Sequence, residues 1–528
     1  MSNDVIIFLK KNLFNKKSVS IFAFLYFPLS FLLLTKYPLW GEDECWFSDV
    51  SYYFLLNGSF NSMAQNGLKE MIGGGPGHGV IYFLVDTISY WLFGVGLFQA
   101  RLPVFITSII ILFLIYKIAS ALYNKRTAVL SVIILALSDT FFRSSHAFEA
   151  HFFLLFFLLI CFYLYLILEK IGSAKLLPFV IGFLSMASIE IHWIGTILPC
   201  VFFVLFCVGK KISKIKNIQI GFFLLGSLVS FLFFFLFIRI YLIEGWEIFN
   251  YKLNLYYGIT QSKSYLWSLT NEPVRYFKYF SKQNVKWFEL LLIILAFYYT
   301  VKRKNKSDIL VLTVVVTYMF LLALVVKNKN PYMILFIPFI YMLISSVIDD
   351  MFTNLMNLKV VSKWVLVVLC LIIPYFISGI LYITIRHVGA NYSQYVKELK
   401  QIVPKQSTVM GWMPLWYGFY DQKFYDNSFY IGRALGRELG YEYLKGTPDE
   451  LYEIKHKAYV DFIKSKNIDY LILDENAKKG LISAYYMKFD GTEKNFIKIS
   501  ELNNKYYGGK SSPKSTGYIT EIYKINFK

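Results

Sequence analysis

The chain has 528 residues, of which 56% are hydrophobic, 19% aromatic and 17% charged, with a net charge of +20. Soluble globular domains carry about 25% charged residues, so this composition excludes an ordinary soluble enzyme, and 51 Phe with 41 Tyr exclude disorder. The apolar residues are blocked in runs long enough to cross a hydrocarbon core of about 30 Å. In such a chain the positive charge reports orientation and attraction to anionic headgroups, not nucleic acid. The five cysteines (Cys45, Cys161, Cys200, Cys207, Cys370) form no CxxC pair, and four lie inside apolar runs, which argues against a disulfide framework or a zinc site. The first apolar run ends in Leu39-Trp40-Gly41-Glu42 without small residues, so a cleaved signal is not expected.

Taken in chain order, the runs predict eleven spans: 18–38, 102–123, 127–142, 150–169, 176–192, 193–209, 218–243, 287–301, 308–326, 331–349 and 362–385. The segment 79–97 is also apolar, but we read it as a helix lying against the membrane. With it kept outside, Lys10, Lys11, Lys16 and Lys17, then Lys117, Lys125 and Arg126, then the clusters at 210–216 and 302–306 all fall on the inner side. The outer loop 39–101 then holds only Lys69 and Arg101 as basic residues, against Glu42, Asp43, Glu44, Asp49, Glu70 and Asp86. The expected fold is a polytopic α-helical membrane protein of about eleven transmembrane helices with outer juxtamembrane helices. This part, residues 1–385, is followed by a small extracytoplasmic α/β domain at 386–528. The apolar runs at 408–412 and 470–474 predict short buried strands there, and 460–466 a helix. The N-terminus is expected in the cytoplasm of a multi-pass plasma-membrane protein.

Charges beside an apolar bundle are costly and are functional candidates by default. Glu42-Asp43-Glu44 follows the first span. Three adjacent carboxylates repel one another, and read either as a solvated loop or as a general base or cation-binding pair at the mouth of a cavity. Arg143, His146, Glu149 and His151 cluster after the third span, as a helix cap with an ion pair or as part of a site on the same side as Asp43. Five glycines within residues 73–79 surround His78 and lead into Tyr82; they make either a flexible loop or a close backbone approach to a ligand. Lys327, Lys329 and Tyr332 open the tenth span from the outside, where two lysines run against the orientation rule; they read either as side chains snorkelling to headgroups or as ligands of a lipid phosphate in a site. Arg275 and Lys278 in the outer loop 244–286 read as solvated loop charges or as further phosphate ligands. The inner basic clusters read as orientation signals, and His192 as an interfacial histidine.

The order of these motifs resembles the integral-membrane GT-C glycosyltransferases, specifically the superfamily of protein O-mannosyltransferases and aminoarabinose transferases. Asp43-Glu44 resembles the acidic pair of their first outer loop. His78-Gly79-Val80-Ile81-Tyr82-Phe83 partly resembles a His-Pro-Pro-Leu-Tyr-Tyr segment, with both prolines missing. Arg101-Leu102-Pro103, the Arg143…Glu149 pair and Lys329…Pro331-Tyr332 complete the series over about residues 15–385. The resemblance implies sugar transfer from a polyprenyl-phosphate-linked donor to a glycan, lipid or protein acceptor on the outer face. It implies Asp43 as general base, with Glu44 and Glu149 orienting the acceptor or holding Arg143. His78, Tyr82, Arg143, His146, Arg275, Lys329 and Tyr332 become substrate-binding candidates, and single displacement implies inversion. No cofactor is expected; a divalent metal at Asp43-Glu44 is left open. A transporter or flippase of a lipid-linked or anionic solute, and a lipid-linked polysaccharide polymerase or ligase, remain alternative readings. The first would place charges at mid-span; the second would take a diphosphate donor. On the sugar-transfer reading, the carboxylates and late lysines must share one cavity open to the outer leaflet.

Overall fold

A computed structural model describes residues 16–38, 42–65, 72–73, 78–172, 174–213, 215–251, 271, 274, 286–325, 330–354, 361–427, 448–475, 477–479, 481, 495–504 and 518–527. The principal helices are, in chain order, α1 (Lys16–Leu33), α2 (Glu42–Asn57), α3 (Val80–Phe93), α4 (Leu97–Leu122), α5 (Lys125–Leu137), α6 (Ala150–Ile171) and α7 (Leu176–Ala187). They continue with α8 (Ile197–Ile212), α9 (Asn217–Ser230, prolonged by a π-helical stretch Phe231–Glu244), α10 (Trp287–Arg303) and α11 (Lys306–Val325). Last come α12 (Ile337–Asn354), α13 (Val361–His387), α14 (Tyr392–Ile402) and α15 (Pro448–Ser465). The chain forms two compact units. One holds Met1–Leu32, Pro76–Tyr82 and Pro103–Ile385; the other holds Leu33–Gly75, Phe83–Leu102 and Arg386–Lys528. The unit that contains the tail therefore also takes in most of the outer loop.

The first unit is helical. Each expected span is helical over most of its length, and among the described residues five stretches are long and apolar enough to cross a membrane: Leu97–Leu122, Ala150–Ile171, Trp193–Ile212, Asn217–Glu244 and Lys306–Leu324. Two expected spans are interrupted. Ser138 ends α5 and its hydroxyl accepts from the Phe141 amide to start a separate turn, Asp139–Ser144. A 3-10 turn, Asn330–Leu335, precedes α12. Helix α3 has 14 residues, about 21 Å at 1.5 Å per residue, which is too short for a core of about 30 Å.

Packing in this unit follows from small residues. A Cβ at Gly182 would lie 2.0 Å from the Phe223 carbonyl oxygen, and one at Gly226 2.0 Å from that of Phe179, so α7 and α9 touch backbone to backbone. Two of the basic residues read as orientation signals, Arg126 and Arg303, are also paired. Arg126 lies 3.2 Å from Asp349, and Arg303 bridges Asp308 at 3.0 Å and Asp350. Asn124 accepts from the Arg126 and Thr127 amides to start α5 and donates to Asp349 at 2.6 Å.

The second unit is built on a mixed five-stranded sheet. Its strands are β1 (Val409–Gly411), β2 (Phe424–Asp426), β3 (Tyr470–Asp474), β4 (Phe496–Asn504) and β5 (Tyr518–Ile525), in the order β2-β1-β3-β5-β4. Strands β2, β1 and β3 are parallel; β5 runs antiparallel to both β3 and β4. Trp416, Phe419, Tyr395 and Leu399 fill its core, and Cys45 of α2, Tyr90 of α3 and Ala100 of α4 join the same cluster.

Candidate functional site

In the first unit a glycine sets the geometry. His78 pairs with His192 in an isolated antiparallel bridge. A Cβ at the next residue, Gly79, would lie 2.3 Å from Glu190 Cα, a separation no side chain tolerates. The opposite strand is held by a tight turn. Ser188 Oγ donates to the Gly195 carbonyl at 3.1 Å, and His192 Nδ1 accepts from the Ile194 amide at 3.2 Å. Glu190 is fully buried, and its Oε2 accepts from the Val80 amide at 3.2 Å, where α3 begins with unsatisfied N–H groups. Arg239 closes the arrangement. It lies 3.2 Å from Glu244 and 3.9 Å from Glu190, and donates to the His78 carbonyl at 3.4 Å.

This frame gathers imidazole and phenol rings. The His78 and His192 centroids are 4.7 Å apart, His151 and His192 5.2 Å, and His151 and Tyr332 4.4 Å. Tyr82 is fully buried. Its hydroxyl donates to the Phe148 carbonyl at 3.0 Å, and its ring stacks on Phe148 at 4.6 Å. The structure thus brings His78 and Tyr332 into one cluster. It adds His151, His192, Glu190 and Arg239, which sequence reasoning did not group; the one overlooked signal in the sequence is Arg239, a charge inside an apolar run. Among the described residues no group of three or more His, Cys, Asp or Glu is arranged to hold a metal ion.

His146 is buried with Nε2 at 2.9 Å from the Ser30 carbonyl and Nδ1 at 2.6 Å from that of Phe142. It fastens α1 to the turn before α6. Arg143 is exposed, and Glu149 is half-buried at the start of α6 without a side-chain cap bond. Lys327, Lys329, Arg275 and Lys278 lie outside the described residues.

In the second unit the acidic pair divides. Asp43 is exposed near the start of α2. Glu44 is 3% exposed and meets the fully buried Arg101 in a two-pronged pair, with Nε–Oε1 2.7 Å and Nη2–Oε2 2.8 Å. The remaining guanidinium donors go to the carbonyls of Leu34 at 2.9 Å, Tyr37 at 3.3 Å and Pro38 at 2.9 Å. Every Arg101 donor group thus has a buried acceptor, the condition under which a buried pair survives its desolvation cost. Two further acids are buried here. Asp49 accepts from Ser62 Oγ and from the Met63 and Ala64 amides, yet burial raises its pKa to about 7. Asp86 accepts from Ser48 Oγ at 3.0 Å, and burial raises it to about 8.

Residues 77–239 match the family model of dolichyl-phosphate-mannose-protein mannosyltransferases. No curated protein matches the chain in sequence. The fold is similar to that of ArnT from Cupriavidus metallidurans, in the apo state at a TM-score of 0.60 and bound to undecaprenyl phosphate at 0.59. Each comparison is at 12% identity over 96% of this chain and 97% of that one. It is also similar to the archaeal oligosaccharyltransferase AglB from Archaeoglobus fulgidus, in complex with an inhibitory peptide and a dolichol-phosphate. There the TM-score is 0.54 at 12% identity over 98% of this chain and 75% of that one. At such identities the likeness establishes a shared fold. In the sequence of residues 77–239 and in the fold of nearly its whole length, this integral membrane chain resembles the GT-C glycosyltransferases that use polyprenyl-phosphate-linked sugars.

Proposed function

We propose that the chain transfers a sugar from a polyprenyl-phosphate-linked donor to a hydroxyl of a glycan, lipid or protein on the outer face of the membrane. Asp43 takes the hydroxyl proton while the acceptor oxygen bonds to the anomeric carbon. The bond from that carbon to the phosphate oxygen breaks, and polyprenyl phosphate leaves with the electron pair. A single displacement inverts the anomeric centre. Tyr332 and Lys329, with Arg275, hold the charge on the leaving phosphate. His78 and His151 add ring N–H groups, and Glu190 with Arg239 keep the His78 strand in place. The N-terminus is cytoplasmic and residues 386–528 extracytoplasmic.

The observation that carries the reading is the match of residues 77–239 to a family acting on lipid-phosphate-linked mannose. The His78–His151–His192–Tyr332 cluster supports it, because three of its four residues lie within that matched segment. The test is release of polyprenyl phosphate from a radiolabelled polyprenyl-phosphate sugar by purified protein. Asp43→Asn is expected to abolish release while expression and thermal unfolding stay at wild-type values. Wild-type turnover in that variant removes Asp43 as the base.

A further inference from the structure

A cavity of about 520 Å³ lies in the second unit and is unused by the proposed transfer. Its volume falls within the range of about 300–1,000 Å³ common for small-ligand sites. Its lining contains one ammonium, Lys36, and no carboxylate. Lys36 Nζ donates one proton to the Val388 carbonyl at 2.7 Å, which holds the cation in place and leaves two N–H groups. Ser393, the second residue of α14, offers its hydroxyl and its first-turn amide, and neither has a partner among the described residues. The α14 macrodipole adds partial positive charge at the same wall.

Sequence position gives the depth. Lys36 comes three residues after the end of α1, Gln99 is the third residue of α4, and Val388 follows α13 directly. The cavity is therefore lined beside the ends of three apolar helices, at the level where a bilayer presents its phosphates. We propose that it seats a phosphoryl anion, the phosphodiester of an outer-leaflet glycerophospholipid headgroup, bound by Lys36 and Ser393.

The test uses the full-length chain in detergent, stripped of lipid and titrated by native mass spectrometry with phosphatidylglycerol, diacylglycerol or glycerol phosphate. Lys36→Met removes the cation. Ser393→Glu places a carboxylate in the cavity, and a first-turn acid favours the helix, so thermal unfolding stays unchanged. Both variants are expected to lose the tightest phosphatidylglycerol site, with an apparent affinity at least about tenfold weaker, and to bind diacylglycerol as wild type does. Glycerol phosphate that competes at this site marks a phosphoryl anion of any source; failure to compete marks the lipid itself. Wild-type phosphatidylglycerol affinity in Ser393→Glu, or an equal loss of diacylglycerol binding, overturns the proposal.

Discussion

Replacing Arg101 with Met keeps the length of the side chain and removes every donor. Glu44 would then be a carboxylate 3% exposed with its cation gone, and the Leu34, Tyr37 and Pro38 carbonyls would each lose a donor. Breaking a buried pair from one side costs about 3–5 kcal/mol, and the three stranded carbonyls put this site at the upper end. The affected unit has about 200 residues, for which 1 kcal/mol moves the midpoint by about 2–4 °C. Arg101→Met is therefore expected to lower the unfolding midpoint of the detergent-purified chain by roughly 10–20 °C. Glu44→Gln is expected to lower it less, because the guanidinium keeps its three carbonyls. Midpoints are compared at one scan rate by near-ultraviolet circular dichroism, since unfolding of such a chain is irreversible. A midpoint within about 1 °C of wild type in Arg101→Met would show that the pair does not stabilise the unit, and the structural assignment of Glu44 would fall with it.

Gly182→Ala and Gly226→Ala each drive a methyl into a backbone carbonyl 2.0 Å away; each is expected to cost more than the about 1–3 kcal/mol of ordinary overpacking, read as a lowered midpoint. Gly79→Ala pushes the His78 strand off Glu190 and is expected to reduce transfer at least tenfold while α3 stays folded by circular dichroism; unchanged turnover would separate the His78 strand from the chemistry. Asp49 and Asp86, raised to about 7 and about 8, keep their protons in the folded state and lose them on unfolding between about pH 4 and those values. The folded state then binds more protons, so stability is full below pH 4 and falls as pH rises, by about 1.4 kcal/mol per pH unit for each group in its window. The midpoint is expected to drop between pH 5 and pH 8, and to drop less in Asp86→Asn; an identical slope in that variant refutes the assignment.

The helices were legible because their apolar runs are long and uninterrupted, and β1 and β3 because short apolar runs stand between turn residues. Strands β4 and β5 were not. In β4, Ile497 and Ile499 are exposed and Lys498 reaches Glu501 and Glu521, so the strand alternates without an obvious buried face. The inclusion of α2 and α3 in the sheet-bearing unit was also hidden, since it rests on Cys45, Tyr90 and Ala100 meeting residues some 300 positions away. In the ring cluster, His78 and Tyr332 had been singled out by motif. His192 and Glu190 were not, because they lie in a break between two helices that reads as an unremarkable span end. The bond between His146 and Ser30 spans 116 residues, and no local pattern announces such a contact.

Adjacent carboxylates in a sequence invite a joint role, and the structure argues against one here. Successive residues on a helix point about 100° apart and do not share a face. Because Glu44 belongs to α2, its turn inward onto Arg101 directs Asp43 elsewhere, and Asp43 is indeed exposed. Both Glu44 carboxylate oxygens are taken up by the buried Arg101 guanidinium, so Glu44 serves the packing of its unit. The acidic motif thus splits into a buried anchor, Glu44, and an exposed carboxylate, Asp43, and it is on Asp43 that the proposed proton transfer rests.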